Sequence, residues 1–291
     1  VTNRTHDIVI TAPEPKRHNG AAGTGVYTDV KLNFMDNGWI TVDGIEFTYG
    51  AYIRAIHTGA AEGEVTICNN IIHDTQSSTA IFVCGANDWF VYNNIIYDTN
   101  PESYMIHGIS VGSGHKANAY IYNNSIFLNT DTKYNQACIA NGADTSLYTI
   151  DVSNNLLANT GSCNGPWCVY YTGTNAPTGD YNIATDDTVP GTHSLINQNI
   201  DTDIKFINHT DGEEDLHIQA GSVAVGAGTN LSSIFKKDID GEERFDTWAV
   251  GADELIGTPQ NLTASAATGL VSLDWDDGVA GMTVEGYNVY R

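Results

Sequence analysis

The sequence predicts an all-β solenoid. One motif returns at a spacing suited to a single coil. Its halves are β-prone runs too short for helices, and asparagine or glycine stands where the chain must bend. The stretches 65–75 (VTICNNIIHDT), 89–99 (WFVYNNIIYDT), 119–130 (AYIYNNSIFLNT) and 150–160 (IDVSNNLLANT) each set an Asn-Asn pair between two apolar runs. The first asparagine of the pair falls at 69, 93, 123 and 154, at spacings of 24, 30 and 31 residues.

Each element follows from that repeat. The run before the Asn pair is one strand and the run after it a second. A third follows at 80–85 (AIFVCG), 107–112 (HGISVG), 137–142 (ACIANG) and 167–173 (WCVYYTG). Strand residues alternate between two faces, and parallel coils stack equivalent positions ~4.8 Å apart. Ile67, Val91, Ile121 and Val152 therefore form one interior column, and Ile72, Ile96, Ile126 and Leu157 another. Asparagine tolerates the left-handed backbone region, so Asn69, Asn93, Asn123 and Asn154 take the tight bend and are placed to form an amide ladder. The layout extends backwards through 40–47 and 54–59, with Asp43-Gly44 standing for the Asn pair. The fold class is a right-handed parallel β-helix over residues 1–190, a closing region over 191–256, and the start of a β-sandwich over 257–291.

Composition narrows the function. The chain has 291 residues, 12 Lys plus Arg against 35 Asp plus Glu, and a formal charge of −23. Nucleic-acid binding needs a basic surplus, so nucleic acid is excluded as a partner, as is a polybasic membrane anchor. At 41% hydrophobic and 16% charged, the composition is that of a folded chain rather than an acidic disordered tail. No run of 18 apolar residues occurs, so no membrane insertion by a helix is expected. The chain opens on Val1 and stops at Arg291 within a strand-like run, which reads as part of a longer polypeptide with further domains. Its five cysteines include no CxxC pair, which argues against structural zinc. Cys163 and Cys168 flank a short loop and are spaced to bridge; the alternative is that the cysteines are small buried residues.

With this repeat the sequence resembles the secreted bacterial right-handed parallel β-helix proteins, the superfamily that includes pectate lyases and other polysaccharide lyases and glycosidases. The resemblance covers about residues 3–190. The segments 215–218 (DLHI), 220–222 (AGS), 226–228 (GAG), 238–241 (DIDG), Arg244 and 251–254 (GADE) resemble the ending of such proteins, which would cover the last coil and its open strand edges. Asp211, Glu213, Glu214, Asp238 and Asp240 there are candidate calcium ligands. The stretches 258–264, 271–275 and 286–290 resemble the first three strands of a fibronectin type III module. Both likenesses imply a bacterial secreted or cell-surface location.

In the lyases so resembled, the saccharide groove runs along the outer face of the third strand. Setting Ile56, Ile81, Ile109, Ile139 and Val169 inward brings Arg54, Thr79, His107, Ala137 and Trp167 outward, followed by His57, Phe82, Ser110, Ala140 and Tyr170. His115 and Lys116 enter from the next loop. A one-residue slip would invert the whole assignment. Aromatic Phe82, Trp167 and Tyr170 suit sugar rings, and cationic groups suit uronates or sulfate esters. β-Elimination needs the carboxylate neutralised and a base near the C5 proton. Arg54 and Lys116 are the candidate neutralising groups; His57, His107 and Tyr170 are the candidate bases. The expected partner is an acidic polysaccharide, although the −23 charge opposes it at long range. At marine ionic strength a Debye length of ~4–5 Å would leave the local cluster dominant. Two alternatives stand beside this reading. A glycosidase would use paired carboxylates drawn from Asp74, Asp98, Glu102, Asp131 and Asp144; a non-enzymatic adhesin or surface module would use the same residues for packing.

Overall fold

The computed structural model describes residues 7–13, 15–35, 39–48, 53–56, 63–74, 78–84, 88–98, 107–112, 118–129, 136–142, 149–162, 165–172, 175–245, 247–255, 260–267 and 270–276. The chain divides into two compact units, 1–254 and 255–291.

The first unit is built from strands that succeed each other in threes. They are β1 (Asp7–Thr11), β2 (Tyr27–Thr28) and β3 (Leu32–Met35); β4 (Trp39–Asp43), β5 (Glu46–Phe47) and β6 (Ile53–Ile56); β7 (Glu64–Cys68), β8 (Ile71–His73) and β9 (Thr79–Cys84). Then come β10 (Asp88–Tyr92), β11 (Ile95–Asp98) and β12 (His107–Val111); β13 (Asn118–Tyr122), β14 (Ser125–Leu128) and β15 (Gln136–Asn141); β16 (Ile150–Ser153), β17 (Leu156–Asn159) and β18 (Pro166–Tyr171), with β19 (Ile183–Ala184) last. Each of three sheets takes every third strand: β1-β4-β7-β10-β13-β16, β2-β5-β8-β11-β14-β17-β19 and β3-β6-β9-β12-β15-β18. All pairings within them are parallel. Among the described residues one helical turn, Ile200–Ile204, interrupts an otherwise β and irregular chain. The arrangement is compatible with a parallel β-helix.

Both predicted interior columns form. Val42, Ile67, Val91, Ile121 and Val152 pair in register, as do Ile72, Ile96, Ile126 and Leu157, and all are fully buried. The bend between the first and second sheets also behaves as predicted: Asn69, Asn93, Asn123 and Asn154 have φ of 53°, 51°, 46° and 58°.

The expected ladder of outer asparagines forms in two of its three rungs, Asn93 Nδ2 donating to Asn69 Oδ1 at 3.2 Å and Asn154 Nδ2 to Asn123 Oδ1 at 3.1 Å, and a longer, unbroken ladder belongs to the other asparagine of each pair. Asn70, Asn94, Asn124, Asn155 and Asn182 are fully buried, and each amide Nδ2 of the first four donates to the next Oδ1 at 3.0–3.2 Å. The same Oδ1 accepts the backbone N–H of the preceding asparagine. Facing the bend inward leaves a polar side chain among apolar columns, and only partners repeated in every coil satisfy it. The first copy also differs from expectation. Asp43 pairs with Cys68, so Gly44 (φ 73°) and Ile45, rather than Asp43-Gly44, hold the Asn-pair positions. The Ile45 N–H ends the ladder on Asn70 Oδ1.

The closing region does not mainly cover the last coil. Residues 183–198 do that, through the Ile183–Leu195 bridge and the Asn182 N–H donated to Ser194 Oγ. The rest runs back along the second sheet and its bend. Antiparallel β20 (Phe206–Asn208) and β21 (Asp215–Ile218) bring Phe206 to 6.5 Å from the Phe127 ring of β14. Beyond them the tail docks on the outer asparagines. Asn93 donates to the Lys237 carbonyl, Asn123 to those of Ala249 and Gly251, and Asn154 to that of Thr229. Arg244 takes the place of the one missing outer rung, between Asn123 and Asn93, by donating to Asn93 Oδ1. Covered on both faces, β14 and β17 are buried at every position, whereas β4 and β10 alternate.

Cys68, Cys84, Cys138 and Cys168 are buried. Of the two readings of the cysteines, the buried one holds for these four, Cys168 packing with its Sγ 3.3 Å from the Leu157 carbonyl; Cys163, the other half of the alternative bridge, lies outside the described residues. In the second unit, β22 (Gln260–Ala267) and β23 (Leu270–Asp276) form an antiparallel pair.

One buried ion pair sets a pH dependence. His73 stacks on Tyr97 at 5.0 Å and places Nδ1 2.9 Å from Asp74 and Nε2 3.1 Å from Glu46. Burial opposes its charge, but the two carboxylates win and raise its pKa to about 9. Hydrogen bonds from His73 and the Gly23 N–H hold Glu46 below its ordinary value despite burial. The folded pKa of His73 exceeds the unfolded one, so its stabilisation is full below pH ~6.5 and fades as pH rises through ~9, on the order of 3 kcal/mol. The Glu46 share is present above its unfolded pKa and fades as pH falls through its lower folded value. Urea titrations should show the gap between wild type and His73→Gln widest near neutral pH and shrinking by pH 10; a gap constant over that range would contradict it.

Candidate functional site

The outer face of the third sheet carries two rows. Thr79, His107, Ala137 and Trp167 pair across β9, β12, β15 and β18, and Phe82, Ser110, Ala140 and Tyr170 form the second row. Both match the sequence projection. The β6 register does not. Ile53, 1% exposed, pairs with Ile81, so Arg54 stands in the Phe82 row rather than beside Thr79, and Ile56 pairs with Cys84. Two isoleucines three residues apart offered two ways to seat the strand. His57, His115 and Lys116 lie outside the described residues, as do Glu102, Asp131 and Asp144.

Trp167 and Tyr170 come together, stacked at 4.6 Å and 26°. Phe82 does not join them: it lies three strands away, ~14 Å at the usual spacing, on β9. Its ring lies over Gly112, where a Cβ would come within 2.5 Å of Phe82 Cζ. His107 stands two strands from Trp167, ~10 Å away, with only the methyl of Ala137 between them in the row. Burial lowers the His107 pKa, and no carboxylate among the described residues opposes it. The imidazole is therefore neutral at neutral pH.

Of the glycosidase candidates, Asp74 has its carboxylate on His73, and the strand register sets Asp98 one position beyond the His73–Tyr97 pair. The calcium candidates do not converge either. Asp238 accepts the N–H groups of Asp240, Glu242 and Glu254, capping a turn, while Asp211 and Glu213 are exposed.

A denser cluster lies elsewhere, and the sequence reading missed it. His217 of β21 bonds Asp215 through Nδ1 and Asp240 through Nε2, the latter at 3.1 Å. Against the cost of burial, these carboxylates and Asp253 raise its pKa to about 11. Ligating atoms of His217, Asp240 and Asp253 lie within 4.8 Å of one another. Asp240 also lines a cleft of about 190 Å³ with Arg17, His18, Asn69 and Lys237. A signal was present: Asp215 and His217 are two apart on a strand and share a face. Their meeting with Asp240 and Asp253 depends on the tail's path.

Set against known proteins, the chain matches no protein-family model and no curated protein. No described helix is long and apolar enough to cross a membrane.

Proposed function

We propose that the chain is a secreted or cell-surface right-handed parallel β-helix protein, followed by a fibronectin type III-like module, that binds an acidic polysaccharide on the outer face of its third sheet. In this reading His107 is the base of a lyase-type β-elimination. The observation that carries the reading is the row holding a neutral His107 two strands from the stacked Trp167–Tyr170 pair. Aromatic faces seat sugar rings, and a ring pair beside a base positions one residue of the polymer for attack. The His107 lone pair takes the C5 proton, the electrons of the broken C5–H bond form the C4–C5 double bond, and the C4–O bond pair leaves with the glycosidic oxygen, which takes a proton from solvent. Arg54, in the Phe82 row, is the candidate partner for the uronate carboxylate.

The test is a panel of alginate, pectate, glucuronan and sulfated polysaccharides, followed by the ultraviolet absorbance of unsaturated products and by reducing ends. The expected result is absorbance with one uronate class, lost in His107→Ala. Its acidic limb should lie below pH 6.5, because burial lowers the His107 pKa. New reducing ends without absorbance would favour a glycosidase. Retained binding without cleavage would leave a glycan-binding module.

A further inference from the structure

We propose that His217, Asp240 and Asp253 form a binding site for one divalent transition-metal ion, zinc by the character of its ligands, which ties the closing region together. Their ligating atoms already lie within 4.8 Å of one another. The three come from separate stretches: β21, the 238–241 turn, and the end of the tail before Leu255. One ion therefore joins three segments that otherwise hold to one another by hydrogen bonds.

Two further observations support a cation here. Asp253 is only 6% exposed. Its Oδ2 accepts the Ile218 N–H at 2.8 Å, and its Oδ1 has no hydrogen-bond partner among the described residues. A cation at that open oxygen would offset the burial of the charge. The charges also do not balance: Asp215, Asp240 and Asp253 surround one imidazole, and Arg244, the other cation acting on Asp253, is bound to Glu254.

The ligand chemistry selects the metal. An imidazole nitrogen with two carboxylates suits zinc or manganese, whereas calcium takes oxygens alone. Asp215 on Nδ1 is the carboxylate that orients a ligating histidine and fixes its tautomer. On binding, the Nε2 proton leaves to solvent and that lone pair goes to the metal.

The test uses the untagged full chain, stripped with chelator and titrated calorimetrically with zinc, manganese and calcium. The expected result is one zinc per chain with a raised melting temperature, and manganese bound more weakly. Asp240→Asn and Asp253→Asn should each weaken zinc at least tenfold with an unchanged circular dichroism spectrum. X-ray absorption of the zinc-loaded wild type, which needs no variant to fold, should show one imidazole and carboxylate oxygens. The proposal is overturned if the wild type takes up no zinc, if both variants bind as the wild type does, if calcium is preferred, or if the absorption spectrum lacks imidazole.

Discussion

Replacing Asn124 with alanine should destabilise the first unit by about 4 kcal/mol, several times the effect of an ordinary surface change. The side chain sits at zero exposure in the middle of the ladder. Its Nδ2 donates to the carbonyls of Val91 and Tyr122 and to Asn155 Oδ1, at 2.9–3.0 Å. Its Oδ1 accepts both the N–H and the Nδ2 of Asn94. Alanine removes the bridge and strands partners on two neighbouring turns, none of which can reach water. The cost is therefore that of unsatisfied buried groups rather than the smaller net value of exchanged hydrogen bonds. Leucine should not rescue the variant, because it fills the volume and leaves the same groups unpaired. Urea denaturation of wild type, Asn124→Ala and Asn124→Leu measures this. A loss under about 1 kcal/mol in both would mean that the ladder is incidental to stability.

The second large effect is expected at Arg244. Its guanidinium and the Glu254 carboxylate are 3.0 Å apart at 0% and 2% side-chain exposure. The guanidinium also donates to the carbonyls of Gly251 and Ala252 and to Asn93 Oδ1, and it lies over the Trp248 ring at 5.4 Å. It thus joins the tail's own turn to the bend of the parallel stack. Arg244→Ala leaves Glu254 buried without a cation, a change that costs about 3–5 kcal/mol in comparable buried pairs. Lysine cannot reproduce the planar fork, so Arg244→Lys should recover little. The released segment should be 229–254, whose docking passes through Asn93, Asn123 and Asn154. Limited proteolysis should then cut within 229–254 in the variant and not in wild type. Equal resistance in both would show that docking does not depend on this pair.

The sequence shows these features unequally, for physical reasons. The interior columns were legible because parallel stacking makes every coil answer to the same two-residue period. The bend was legible because few residues other than asparagine and glycine accept a left-handed backbone. Tyr181 (φ 59°) takes that position in the last copy, so the Tyr181-Asn182 continuation was hidden. Which asparagine of a pair turns inward cannot be told from composition, since both are the same residue. It depends on the residues at 70, 94, 124 and 155 following the bend and entering the second sheet. Arg54 was misplaced because Ile53 and Ile56 are equally apolar, and register alone distinguishes them. His217 and its carboxylates were not legible as a cluster, because the tail's return along the second sheet is a tertiary event without a repeat to mark it.

Binding by the third-sheet face is tested most directly by comparing two aromatic pairs. Trp167 and Tyr170 stack on the third sheet at 4.6 Å, and Phe90 and Tyr120 stack on the outer face of the first at 4.9 Å. The measurement is affinity electrophoresis in the polysaccharide that gives the strongest retardation, with Trp167→Ala/Tyr170→Ala beside Phe90→Ala/Tyr120→Ala. The expected result is a loss of about tenfold or more in affinity for the first variant and wild-type retardation for the second. The reverse pattern, or equal retardation of all three proteins, would contradict binding on the third sheet.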